Sequence, residues 1–134
     1  MTIKHKIIGD LKLVYAVTDG TLNFEDLMNH IEELSKDPKY NSPMLKLVDY
    51  RNLKEYELTT KEAEIFAIKK ASLTERFLHE KCAFIVPSDL VFGMIRHHQV
   101  FIDENKINTK IFRDLEEATK WLGIDVKDEE LIID

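Results

Sequence analysis

Residues 81–123 constrain the fold more than any other stretch, because they read as strand, capped helix, strand, capped helix with a chemical reason at nearly every boundary. Cys82-Ala83-Phe84-Ile85-Val86 is a short apolar run that Pro87 ends. Ser88-Asp89 opens a helix carrying Leu90, Val91, Met94, Ile95, His98, Phe101 and Ile102 at helical spacing. Residues 107–113 then alternate, and Asp114 with Glu117 has the spacing of a capping box ahead of a last helix. Trp121-Leu122 closes that helix's apolar stripe and Gly123 supplies its stop.

The first half follows the same logic. Two strand-like runs, residues 3–8 and 11–18, are joined by Gly9-Asp10, a pair suited to a two-residue hairpin turn. Asp19-Gly20 ends the second run, and Asn23 caps a helix bearing Phe24, Leu27, Met28, Ile31 and Leu34, with Leu22 and Leu27 placed as a hydrophobic staple. A polar loop with two prolines over residues 36–43 leads to the apolar run 44–48, a third strand that Asp49 ends. Residues 53–58 read as an irregular connection. Thr59 with Glu62 then has capping-box spacing for a helix through Ala63, Phe66 and Ala67, extending toward Phe77. Strands separated by helices imply right-handed crossovers onto a mostly parallel sheet, and the hairpin makes it mixed. The expected fold is α/β, with a mixed five-stranded sheet flanked by four helices.

Composition narrows the function. A chain of 134 residues, 44% hydrophobic and 33% charged, suits one domain, here 1–124 followed by an acidic tail over 125–134. That tail holds five acidic residues against one lysine, yet its Leu131-Ile132-Ile133 is apolar: it either frays or docks, along its own domain or across to a second copy as a homodimer. The net charge of −6 argues against nonspecific attraction to nucleic acid or anionic membrane. No run reaches the roughly 18 apolar residues of a membrane span, no signal core opens the chain, and the single cysteine, Cys82, excludes an internal disulfide. A cytoplasmic protein is expected. His97 and His98 are adjacent on a helix and diverge, while His5, His30 and His79 lie in other elements, so no metal is expected. The four glycines form no phosphate-cradling loop, and no cofactor is expected.

The element order, together with Leu47-Val48-Asp49-Tyr50-Arg51, the run from Phe84 through Ser88-Asp89 to Gly93-Met94, and the closing Ile111-Phe112-Arg113-Asp114-Leu115-Glu116-Glu117-Ala118, resembles the STAS superfamily. This is the domain of anti-sigma-factor antagonists and sulfate-transporter tails, and the likeness is greatest to uncharacterised members related to both STAS and Sec14-type lipid-binding domains. It covers most of the chain. In antagonist-type members, the Asp ending the third strand is followed two positions on by a phosphorylated Ser. Here Asp49 matches the acid but Arg51 stands at the serine position, so the resemblance carries no phosphoserine switch.

Ligands of open α/β sheets bind outside the carboxyl ends of the parallel strands, which makes Asp49, Tyr50, Arg51, Ser88, Asp89 and Arg113 candidate binding positions, and the helical glycine adds Phe92 and Gly93. Arg51 is either an anion contact, through its planar fork of donors, or a surface residue paired with an acid. Ser88 has no Gly-x-Ser-x-Gly elbow and reads as a helix cap. Gly93 inside a helix marks tight packing on the sheet, or else room for an apolar ligand beside Phe92, Met94, Phe66 and Tyr50. No residue is expected to be catalytic. The leading expectation is a non-enzymatic regulatory module with a protein partner. A binder of a small apolar or lipid-like ligand is the alternative, and an enzyme using Asp49, Arg51 or Ser88 stands third.

Overall fold

The computed structural model describes residues 3–40, 44–73, 80–104 and 108–133, with residues 102–104 as backbone only. The strands are β1 (Ile3–Ile8), β2 (Leu13–Thr18), β3 (Gly20–Leu22), β4 (Leu45–Asp49), β5 (Leu53–Tyr56), β6 (Lys81–Ile85) and β7 (Asn108–Phe112). The helices are α1 (Phe24–Lys36), α2 (Thr60–Leu73), α3 (Asp89–Glu104) and α4 (Leu115–Leu122). Five strands form the main sheet in the order β1-β2-β4-β6-β7, with β1 antiparallel to β2 and the others parallel. This is the expected mixed five-stranded sheet with four helices. The extension toward Phe77, the strand start at Ile107, His79, the Ile102 side chain and residues 41–43 of the proline loop lie outside the described residues.

From β2 to β7 every crossover steps in the same direction across the sheet. Right-handed connections that never reverse must all lie on one face, so α1, α2 and α3 cover one side while α4, which links no pair of strands, covers the other. Strand periodicity sorts the side chains accordingly. Val14, Val48, Cys82 and Ile111 join the core under α1–α3, and Leu13, Tyr15, Leu47, Ala83, Ile85 and Phe112 join the core under α4. Both faces of the central strands are therefore buried, as parallel sheets require.

Local chemistry fixes the helix starts. Asn23 and Asp114 each accept a backbone N–H three residues on, at 2.9 and 2.8 Å. The Thr59–Glu62 capping box is reciprocal, with bonds of 3.0 and 3.1 Å. Three expectations change. The hairpin turn is a 3-10 turn over Gly9–Leu11 rather than a two-residue loop, and the left-handed residue is Lys12 (φ 49°). It is tied down on both sides: its N–H donates to Gly9 O (3.1 Å) and its carbonyl accepts from Leu45 N (2.8 Å). Residues 53–56 are a strand, pairing in parallel with β3 as a second, two-stranded sheet. In α3, Leu90 is exposed, not part of the buried stripe that holds Val91, Ile95 and His98. The tail docks on its own domain: Val126 and Leu131 are buried in the α4-side core, and Lys6 Nζ reaches Ile132 O at 3.4 Å. Leu131 is buried there, while Ile132 beside it remains 60% exposed.

Two glycines separate conformational need from packing need. Gly123 ends α4 at φ +76°, and its N–H bonds back into the last turn. Gly93 is exposed in α3, and a Cβ there would meet nothing within 4 Å. Gly123→Ala is expected to cost about 1 kcal/mol, whereas Gly93→Ala is expected to stabilise by up to about 1 kcal/mol through helix propensity. Urea unfolding of both variants checks the pair of opposite signs.

Candidate functional site

The carboxyl ends of β4, β6 and β7 lie together, but their side chains mostly satisfy one another. Asp49, only 4% exposed, turns toward the α4 face. It accepts the Tyr15 hydroxyl at 2.6 Å, Arg51 Nη2 at 2.8 Å, Arg51 Nε at 3.0 Å and the Arg51 backbone N–H at 3.0 Å. Burial alone would raise the Asp49 carboxyl, but those donors outweigh it and hold the group below its ordinary range. Arg51 Nη2 also donates to Asp128 of the tail at 2.7 Å. Its fork is thus occupied by two carboxylates of its own chain, which is the ion-paired reading of Arg51 and leaves little for an external anion.

The other strand-end positions are equally occupied. Ser88 Oγ accepts the Val91 N–H at 3.2 Å, the geometry of a cap. Arg113 pairs with Asp89 and donates to Pro87 O at 3.2 Å, on a surface where both partners are open to water and such pairs contribute little. Phe92 packs partly against the core, while Gly93 fronts a shallow groove with Leu58, Leu90, Met94 and His97. The tight-packing expectation for Gly93 is corrected by its open surroundings. Of the predicted positions, Tyr50 alone reaches the interior space described next.

Between the sheet and α1–α3 lies a partly enclosed cavity of about 60 Å³. Its wall is mainly apolar: Ala16, Val48 and Phe84 from the sheet, Leu27, Phe66 and Ile95 from the helices, with Leu22 and Tyr50 closing an end. The wall also carries charge. Lys46, on β4, is 4% exposed and contacts His30 of α1, Nζ to Nε2, at 3.0 Å. Lys70 of α2 is equally buried and donates to Glu80 at 2.7 Å; Glu80, fully buried, also accepts the Tyr40 hydroxyl at 2.9 Å. Burial would raise the Glu80 carboxyl, yet Lys70 and Lys46 hold it down; burial would lower the Lys70 ammonium, yet Glu80 holds it up. Lys46 is compensated only in part, by the charge of Glu80 from beyond ion-pair distance. Burial first, and Lys70 second, push it down to about 8, and no carboxylate among the described residues forms an ion pair with it. Burial and Lys46 push His30 well down, so its imidazole is neutral, and its Nδ1 is buried with no hydrogen-bond partner among the described residues.

His98 also lines the cavity, bonded to the Tyr56 hydroxyl at 2.9 Å. Cys82 does too, its thiol pushed up to about 12 by burial and therefore unreactive. Sequence reasoning missed Lys46, Lys70 and Glu80 altogether. The available signal was a lysine at the centre of a strand covered on both faces, where no alternation can bring a side chain to water.

No family model matches the sequence, and no curated relative does. Among solved structures, the chain is similar to an uncharacterised protein of the DUF3478 family with a SpoIIAA-like fold from Shewanella loihica PV-4. The two share 18% identity over 90% of this chain and 93% of that one, with a TM-score of 0.58. The chain thus has the SpoIIAA-like, STAS-type fold that its sequence resembles. No helix among the described residues is long and apolar enough to cross a membrane.

Two substitutions test these electrostatics. Asp49→Asn is expected to cost about 1–3 kcal/mol at pH 7, since it weakens charge-assisted bonds to a buried acceptor. Because the folded carboxyl titrates below its unfolded value, that stabilisation is present above about pH 4 and is lost as the pH falls through the folded value. Urea titrations at pH 7 and pH 3 check it through a shrinking gap between native chain and variant. Lys46→Met should be no less stable than the native chain at pH 7. The folded lysine sheds its proton near 8 and the unfolded one near 10.4, so the native chain gains stability between those values and the variant's advantage should fade there.

Proposed function

We propose that this protein is a non-enzymatic binding module that holds a small, mainly apolar ligand between its sheet and helices α1–α3. The observation that carries the reading is a charged side chain without a carboxylate partner in the wall of an apolar cavity. Desolvating an ammonium costs several kcal/mol, and a chain selected for stability alone would place Met or Leu at position 46. The strand-end residues support the non-enzymatic half of the reading: Ser88 caps a helix, and Asp49 and Arg51 are spent on each other and on the tail. The resemblance to anti-sigma-factor antagonists suggests a partner protein as the readout, with ligand occupancy instead of a phosphoserine setting the partner-facing surface.

A second reading, a protein-interaction module without a ligand, is favoured by the groove between the α2 and α3 starts, where Leu90 is 73% exposed beside Leu58 and Met94. Methyl NMR separates the two. A panel of charged and neutral amphiphiles of about four to six heavy atoms, the number of water-sized atoms the cavity can hold, should shift the methyls of Leu22, Val48 and Ile95 and leave that of Leu90 in place. Cys82→Met, which fills the cavity at a cost of about 1–3 kcal/mol, should abolish the shifts. Shifts at Leu90 alone, or none with any compound, would overturn the ligand reading.

A further inference from the structure

The chemistry of the wall narrows the ligand's class. Lys46 has three N–H donors, and His30 Nε2 accepts one of them at 3.0 Å. The other two have no carboxylate of the described residues ion-paired to them, because Glu80, the nearby acid, is engaged by Lys70 and Tyr40. The His30 contact fixes the ammonium against the wall, and Nδ1 is a second buried polar atom without a hydrogen-bond partner among the described residues. The rest of the lining is mainly hydrocarbon and aromatic, with Leu22, Leu27, Val48, Phe66, Phe84 and Ile95, and its other polar members include Lys70, which is engaged by Glu80, and His98, which is bonded to Tyr56. A group suited to it has one negative charge, two acceptor oxygens and a short apolar body. A dianionic phosphate would leave several acceptors facing hydrocarbon. An alcohol would leave the ammonium uncompensated.

We propose that the cavity takes a short-chain monocarboxylic acid as its anion, with the carboxylate on Lys46 and the hydrocarbon against the apolar wall. This rests on the ligand-binding reading above and adds the head group and size. The space of about 60 Å³ admits roughly four to six heavy atoms, the size of butyrate and well below that of a lipid acyl chain. Lys46 is the recognition residue, and His30 is a positioning residue that acts through it.

The test compares butyrate with butyramide, its neutral isostere, by methyl NMR titration of the full chain at constant ionic strength and pH 7. Butyrate is expected to bind at least tenfold more tightly and to raise the Lys46 titration, followed through its ε-carbon. In Lys46→Met, whose folding is checked by urea unfolding, the tenfold preference should vanish while butyramide binding persists. Equal binding of the two compounds, or an undiminished preference in Lys46→Met, would overturn the carboxylate assignment and leave the ligand reading standing. Failure of every member of the amphiphile panel to shift the cavity methyls would overturn both.

Discussion

Strand β4 runs through the middle of a sheet covered on both faces, and much of the molecule's polar chemistry follows from that cover. A strand so placed has no solvent side, so its two charged residues must be accommodated in opposite cores. Asp49 enters the α4 face and is met by Tyr15 and by Arg51, which Asp128 of the tail also holds. Lys46 enters the α1–α3 face and is met by one imidazole. The same geometric rule thus yields a closed network on one side and an open one on the other. Stability alone accounts for the first, since a buried carboxylate with several donors is compatible with a folded core. It does not account for the second.

The helices' placement shapes the space that Lys46 faces. Because every crossover steps in one direction, three helices crowd one face and meet the sheet with side chains of very different length. Ala63 and Phe66 of α2 line the cavity together with Ala16 and Cys82 of the sheet. Small residues from both layers border the space that remains between them, which is also lined by Lys46 and His30. On the α4 face, by contrast, the short helix and the docked tail fill the surface with Trp121, Leu122, Val126 and Leu131. The acidic tail is therefore part of the second core's cover, and Asp128 fixes it to the very arginine that holds Asp49.

Boundaries were legible in the sequence wherever a cap or a breaker has its own local chemistry. Asn23, Thr59, Ser88, Asp114 and Gly123 each act within a turn of where they stand, so a reader needs no tertiary information to place them. Strand β5 was not legible, because Leu-Lys-Glu-Tyr is short and polar in its centre, and its pairing with β3 depends on a partner more than 30 positions upstream. Gly93 misled for the opposite reason. A helical glycine carries a local cost that invites a packing explanation, and its surroundings are open. The strand-end positions were found by topology, yet what occupies them, an internal ion pair joined by the tail, depends on a residue 77 positions away.

Lys46 shows most clearly where sequence reading stops and where it need not have. Read as one member of the run from Met44 to Val48, it looks like a strand residue with an exposed side chain, the common fate of lysine. Once the strand is assigned to the centre of a parallel sheet, that fate is closed to it, and the question becomes which buried groups it meets. Glu80 was in the same position, one residue ahead of β6. It pairs with Lys70 of α2 rather than with Lys46, a choice that no spacing in the chain encodes. That choice leaves a cation facing hydrocarbon and is the physical basis for expecting an anion there. A chain that had paired Lys46 with Glu80 directly would have had a satisfied core and no reason to bind anything within it.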